Sequence, residues 1–178
     1  MVKQRSEKFR RHRDDLTGEH IFSDAGQLIL LFVFLAIWIT DSFFFNYSSF
    51  PNDYIPLAVR ITLGVIMLVT SGYLAWDGMS RLFGEVREKP ELIRKGVFGI
   101  VRHPVYLSEI LLYLGLIFFS ISLAAVAVWF AGVAFMHYIS RYEERLLLAQ
   151  FGEEYKRYMK DVPMYFPRIR RKKTHRKT

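Results

Sequence analysis

The 178-residue sequence contains no cysteine, which removes disulfides, thiolate metal sites and cysteine nucleophiles together. A cleavable leader is also missing. Residues 1–20 are charged and the first apolar run is not followed by a small-residue cleavage site, so the first helix is expected to stay. Charge is absent where a soluble domain would have it. Charged residues make up 24% of the chain, but they gather at the two ends and in one central stretch. The runs 28–39 and 55–76 have no polar stripe of helical period. Helices of that kind must be buried in protein or in lipid, and a chain this short has too little other protein to surround several of them.

What is present fits membrane segments. Sixteen uncharged residues run from 25 to 40, and Phe43, Phe44 and Phe45 extend them to spanning length if Asp41 lies at the interface. Residues 54–76 can cross the roughly 30 Å of bilayer hydrocarbon, with Arg60 near their start placed to snorkel outward. Residues 106–119 and 121–138 are joined by little more than Ser120 and Ser122. Neither comfortably spans alone, but an antiparallel hairpin of the two could go across and return. The expected fold is all-α and polytopic, with about four transmembrane helices, a C-terminal hairpin and one domain. Within it, 1–23 is a basic N-terminal segment, 24–91 holds the first two membrane helices, 92–167 holds the chemistry, and 168–178 is a basic, disordered tail.

Lys and Arg set the orientation. They crowd residues 1–20, 81–102 and 168–178, and are absent from 41–53 and from the Ser120 turn. With four crossings, all three basic regions share one side, which the positive-inside rule makes cytoplasmic, both termini included. The tail is read as attraction to anionic headgroups, and no nucleic-acid partner is expected.

Two blocks carry chemistry. In the first, Gly96 and Gly99 permit a turn, His103 is biased out of helix by the proline after it, and Pro104 suits the first turn of a helix. Arg102 and His103 therefore stand where a loop meets a membrane helix, whose free N–H groups could hold a carboxylate. In the second, His137, Arg141, Glu144 and Leu148 fall on one helical face, and at least one of Glu143 and Glu144 must turn away from water if that helix packs on the loop. His12, His20 and His175 lie in flanking segments, His103 and His137 share no ligand spacing, and the Glu pair lacks a histidine three residues on. No metal is expected.

Gly96, Phe98, Arg102, His103, Pro104 and Tyr106, then Glu143, Glu144, Phe151, Gly152, Tyr155, Tyr158, Val162 and Pro163, resemble in order and spacing the isoprenylcysteine carboxyl methyltransferase family and the related membrane phospholipid methyltransferases. The resemblance covers residues 92–167. It departs at Phe98, where relatives often have Tyr, and at Ser108, where they usually have Gly; Glu109 then follows inside an apolar run, where an ionisable group is costly. Glu109 snorkels back to the interface or lines the substrate path. The resemblance implies S-adenosylmethionine as cofactor, contacted by Leu92, Ile93, Phe98, Arg102, His103, Pro104, Val105 and Tyr106 and held by Glu143. Arg141 and Glu144 would be catalytic, Arg141 orienting an acidic substrate group. A lipidic or prenylated acceptor would enter laterally from the bilayer, with the active site facing the cytoplasm; oligomeric state stays open. A nicotinamide-dependent membrane reductase of related fold and a non-catalytic scaffold are the alternatives.

Overall fold

The computed structural model describes residues 21–84 and 91–166, with side chains from residue 25 onward. The basic N-terminal segment, Arg87, Lys89 and the tail expected to be disordered lie outside the described residues. Those described form five α-helices and no strand: α1 (Ile21–Ile39), α2 (Leu57–Phe83), α3 (Pro104–Phe119), α4 (Leu123–Phe151) and α5 (Glu153–Asp161). Three stretches are long and apolar enough to cross a membrane, Ala25–Phe45, Leu57–Phe83 and Leu123–Phe151; Pro104–Phe119 is apolar but shorter. Sixteen residues at 1.5 Å each reach only about 24 Å.

Apolar composition makes these segments helical because hydrocarbon offers no partner to a free backbone N–H or C=O. Helix α1 loosens into a π-turn, Thr40–Phe45, and stops at Asn46, whose φ is 49°. Asp41 then gathers the chain: its carboxylate accepts the Ser48 N–H at 3.0 Å and the Ser48 hydroxyl at 2.5 Å. Asn52 continues the network, donating to Ile121 O at 3.1 Å and accepting from Ile121 N–H at 2.9 Å. This ties the loop after α1 to the turn between α3 and α4.

Arg60 belongs to the same network, reaching from the first turn of α2 back to the loop that precedes it, the outward direction expected. Its guanidinium donates to Asn52 Oδ1 and, at 3.3 Å, to Phe119 O at the end of α3. A helix C-terminus in apolar surroundings leaves carbonyls in need of donors, and this guanidinium supplies one. Trp38 serves the next carbonyl, Ser120 O, at 3.0 Å.

Helices α2 and α3 pack through small residues spaced by seven. Gly64, Ser71 and Gly78 line α2; Ser108 and Gly115 line α3. A Cβ at Gly64 would meet the Phe119 ring at 2.9 Å and Gly115 O at 3.1 Å, and one at Gly115 would meet Leu68 at 2.9 Å. Small side chains allow this approach where apolar burial gives no drive between helices in lipid. Ser71 Oγ seals the middle, donating to Ser108 O at 2.6 Å. Ser108 keeps the close contact by folding its own hydroxyl onto Val105 O at 2.6 Å. On the other side, Phe34 of α1 stacks on Tyr113 of α3 at 4.5 Å.

The hairpin expectation needs one correction. Helix α4 spans 29 residues, long enough to cross a membrane, because it does not stop where the apolar run stops at Tyr138. It begins at Ser122, whose hydroxyl accepts the Ala125 N–H at 3.1 Å. It continues through Arg141, Glu143 and Glu144 to Phe151, where Gly152 turns the chain at φ 53° into α5.

Candidate functional site

The segment leading into α3 is pinned along its length. Gly96 has φ 61°, a region that glycine enters without steric cost. The Val97 N–H donates to Asp77 of α2 at 2.9 Å, while Phe98 O accepts the Tyr158 hydroxyl of α5 at 2.7 Å. Arg94 donates to Glu154 O at 2.8 Å and lies over the Tyr158 ring. Further on, the Arg102 N–H donates to Pro163 O at 2.9 Å and the His103 N–H to Met164 O at 3.3 Å. The turn of residues 96–103 is thus held between α2, α5 and the strand-like stretch after α5.

His103 has φ −121° and ψ 66°, outside helix, and Pro104 opens α3, as the sequence requires. The Arg102 guanidinium donates to Met159 O and Val162 O, both at 2.8 Å, and its Nη2 lies 2.7 Å from Glu144 Oε1. The imidazole sits between the two carboxylates, Nδ1 3.6 Å from Glu143 and Nε2 3.6 Å from Glu144. At 3.6 Å neither contact is a hydrogen bond, and Nε2 is buried without a partner. Tyr106 stacks on His103 at 5.7 Å and donates its hydroxyl to Glu143.

Burial pushes His103 below its ordinary pKa; the Glu144 carboxylate opposes that and the Arg102 guanidinium adds to it. The ring is therefore a neutral imidazole near pH 7, able to accept a proton. Burial likewise raises the phenols around it, Tyr165 up to about 12, so Tyr165 is a hydroxyl donor and acceptor there and not an anion.

The expected residues separate into two groups. Arg102, His103, Tyr106, Glu143 and Glu144 converge. Arg141 stands at the edge, its side chain 57% exposed and its Nη1 3.4 Å from Glu144 Oε2. By contrast, Leu92 packs against Tyr155, Tyr158 and Val162, and Ile93 and Phe98 pack with Leu74 and Val97. Pro104 and Val105 lie over Gly78, where a Cβ would meet Val105 at 3.2 Å and Pro104 at 3.7 Å. These five pack the turn and the start of α3 against the neighbouring helices. Glu109 accepts the Tyr113 hydroxyl within α3.

Sequence reasoning missed Tyr165. Its ring faces His103 at 6.2 Å and His137 at 6.4 Å, and its hydroxyl is 2.6 Å from Ser140 Oγ on α4. The only signal was an aromatic two residues after Val162-Pro163, which says nothing of where the chain returns. Asp77 was missed as well, although a carboxylate four residues before Arg81 at the end of an apolar run is a recognisable helical pair.

An unpartnered imidazole nitrogen, two carboxylates and the rings of Tyr106 and Tyr165 suit a cationic, hydrogen-bonding ligand. Carboxylates attract a sulfonium or ammonium directly, and ring faces attract it through their quadrupoles. S-adenosylmethionine fits this donor set.

Comparison with known proteins agrees with that chemistry. A family model described as phospholipid methyltransferase matches residues 54–154, reaching upstream of the resemblance read from the motifs to include α2. The cobalt-zinc-cadmium resistance protein CzcN of Cupriavidus metallidurans is 30% identical over 134 residues, covering 74% of this chain and 60% of that protein. This chain thus spans less than two thirds of that relative's length. The match to that family model over more than half of the chain shows that the chain belongs to the phospholipid methyltransferase family.

Proposed function

We propose that this protein transfers a methyl group from S-adenosylmethionine to a lipidic or prenylated acceptor at the cytoplasmic face of a membrane. The observation that carries the reading is the placement of His103 between Glu143 and Glu144, buried at the junction of a pinned turn and an apolar helix. When bound, S-adenosylmethionine supplies an electrophilic methyl group whose transfer leaves a neutral thioether, with the sulfur keeping the electron pair of the broken bond.

The protein's own part is alignment and charge, because an in-line displacement gains most from fixed geometry. Glu143 is held by the Tyr106 hydroxyl and presents its charge to the cofactor's cationic groups. Glu144, 2% exposed and paired with Arg102, keeps His103 and the turn in place. Arg141, at the rim, receives an acidic group of the acceptor. A carboxylate acceptor attacks without proton loss. An amine acceptor must give one up, and the neutral His103 imidazole takes it. The apolar surfaces of α3 and α4 lie directly beside these groups, so the acceptor's hydrocarbon stays in the bilayer while its headgroup reaches the site.

Calorimetric titration of S-adenosylmethionine and, separately, NADPH into detergent-purified protein tests the reading. Saturable binding of S-adenosylmethionine, weakened in Glu143→Gln and His103→Ala, is expected. Binding of NADPH alone would replace it with a reductase, and a folded protein silent toward both would be a scaffold.

A further inference from the structure

We infer that Asp77, near the end of α2, is a positioning residue for methyl transfer: its carboxylate fixes the turn Gly96–Gly99 and through it the backbone presented to the cofactor. The inference rests on the methyltransferase reading above. Two donors from different parts of the chain meet one oxygen, Asp77 Oδ2: Arg81 Nε at 2.8 Å and the Val97 N–H at 2.9 Å. The first is an ordinary pair one helical turn apart, which on its own is weakly stabilising. The second is not local, since Val97 lies twenty residues further along and the intervening chain leaves the helix. A carboxylate accepting a backbone N–H makes a bond about twice as strong as a neutral one, and Arg81 holds that carboxylate in one rotamer.

Gly96 shows how tightly the turn is seated. A Cβ there would fall 1.9 Å from Arg81 Nε and 2.4 Å from Asp77 Oδ2. The backbone therefore rests directly on the Asp77–Arg81 pair, and a side chain there would have to displace those two groups, so the glycine serves both its φ and this contact. Val97 and Phe98 are buried on the near side, and Tyr158 takes Phe98 O on the far side. With α2 gripping one end of the turn and α5 the other, Arg102 and His103 follow three residues later in one register. Asp77 thus acts on the site without touching it.

The test compares Asp77→Ala with Asp77→Asn, which keeps an acceptor oxygen for Val97, in the full-length protein in detergent. Asp77→Ala should raise the KM for S-adenosylmethionine about tenfold, the loss of one charge-assisted bond, and leave the KM for the lipid acceptor unchanged. Asp77→Asn should recover most of that loss. A second readout needs no cofactor: trypsin should cut after Arg94 and Lys95 several times faster in Asp77→Ala than in wild type, with Asp77→Asn close to wild type. Unaltered cofactor KM in Asp77→Ala, or equal rises in both KM values with a lowered unfolding temperature, would overturn the inference. Wild type that binds no S-adenosylmethionine would overturn the methyltransferase reading and the cofactor half of this one; the tryptic pattern would still decide whether Asp77 holds the turn.

Discussion

Arg102 and Glu144 join two parts of the chain forty-two residues apart through a 2.7 Å ion pair, with side chains 9% and 2% exposed. The same guanidinium closes the C-terminal end of α5 by donating to Met159 O and Val162 O. One side chain thus fastens the turn before α3, the membrane-exiting part of α4 and the chain after α5.

Removing one partner of such a pair leaves the other charged and enclosed. Arg102→Met should therefore cost about 3–5 kcal/mol of stability. The double variant Arg102→Met with Glu144→Leu should recover a large part, because the enclosed charge goes too. Denaturant unfolding in mild detergent measures both. A single variant within about 1 kcal/mol of wild type would mean that water reaches the pair. Arg102→Lys should resemble Arg102→Met, since one ammonium cannot reproduce the fork that serves two carbonyls and a carboxylate.

The two adjacent glutamates should part company. Glu143→Gln keeps an acceptor for Tyr106, so stability should move by less than about 1 kcal/mol while affinity for S-adenosylmethionine falls about tenfold or more. Glu144→Gln should lower stability by about 2 kcal/mol, as the enclosed Arg102 charge loses its counter-charge and keeps only a neutral acceptor. Thermal unfolding set beside calorimetric binding separates them. If both variants lost binding at unchanged stability, Glu144 would be a ligand contact and not part of the frame.

Much of the site was legible because it depends on local backbone chemistry. Gly96 had to turn, His103 had to leave helix before Pro104, and one of two neighbouring carboxylates had to be buried. What escaped depends on which faces meet. Nothing near Tyr165 says that it returns between His103 and His137, and nothing near Ser71 says that its partner is Ser108 O. That α4 is long enough to span alone was underread for a third reason: the apolar run 121–138 and the helical face 137–148 were weighed separately, whereas they form one helix, Leu123–Phe151.

Two glycines with nearly the same φ make a controlled comparison. Gly96 and Gly152 have φ 61° and 53°, but a Cβ on Gly152 meets nothing within 4 Å while one on Gly96 strikes Arg81 and Asp77. Gly152, at φ 53° and ψ −123°, lies in a region that favours glycine, so Gly152→Ala should cost about 1–3 kcal/mol from backbone strain alone. Gly96→Ala should cost more and should also weaken S-adenosylmethionine binding, because the turn must lift off α2. Unfolding midpoints and binding isotherms for the two variants decide this, and equal effects on both would show that the turn yields freely.

His103 contributes to the acid side of the stability profile. Burial, the largest influence, lowers its pKa in the folded state, so the unfolded chain, with an ordinary value of about 6.5, binds a proton that the folded chain resists. Stability then rises with pH wherever the unfolded state holds more protons. The His103 contribution is intact above about pH 6.5 and is lost as pH falls from there toward the lower folded value. Wild type should lose stability between about pH 7.5 and pH 5.5, and His103→Gln, which cannot titrate, should lose less over the same interval. Proton acceptance from an amine acceptor needs the neutral ring, so an acid limb of activity governed by His103 should lie below the ordinary histidine range. Denaturant unfolding at a series of pH values, run on both proteins, gives the comparison; parallel curves would mean that His103 keeps its ordinary proton affinity in the fold and is not enclosed between the glutamates as its geometry implies.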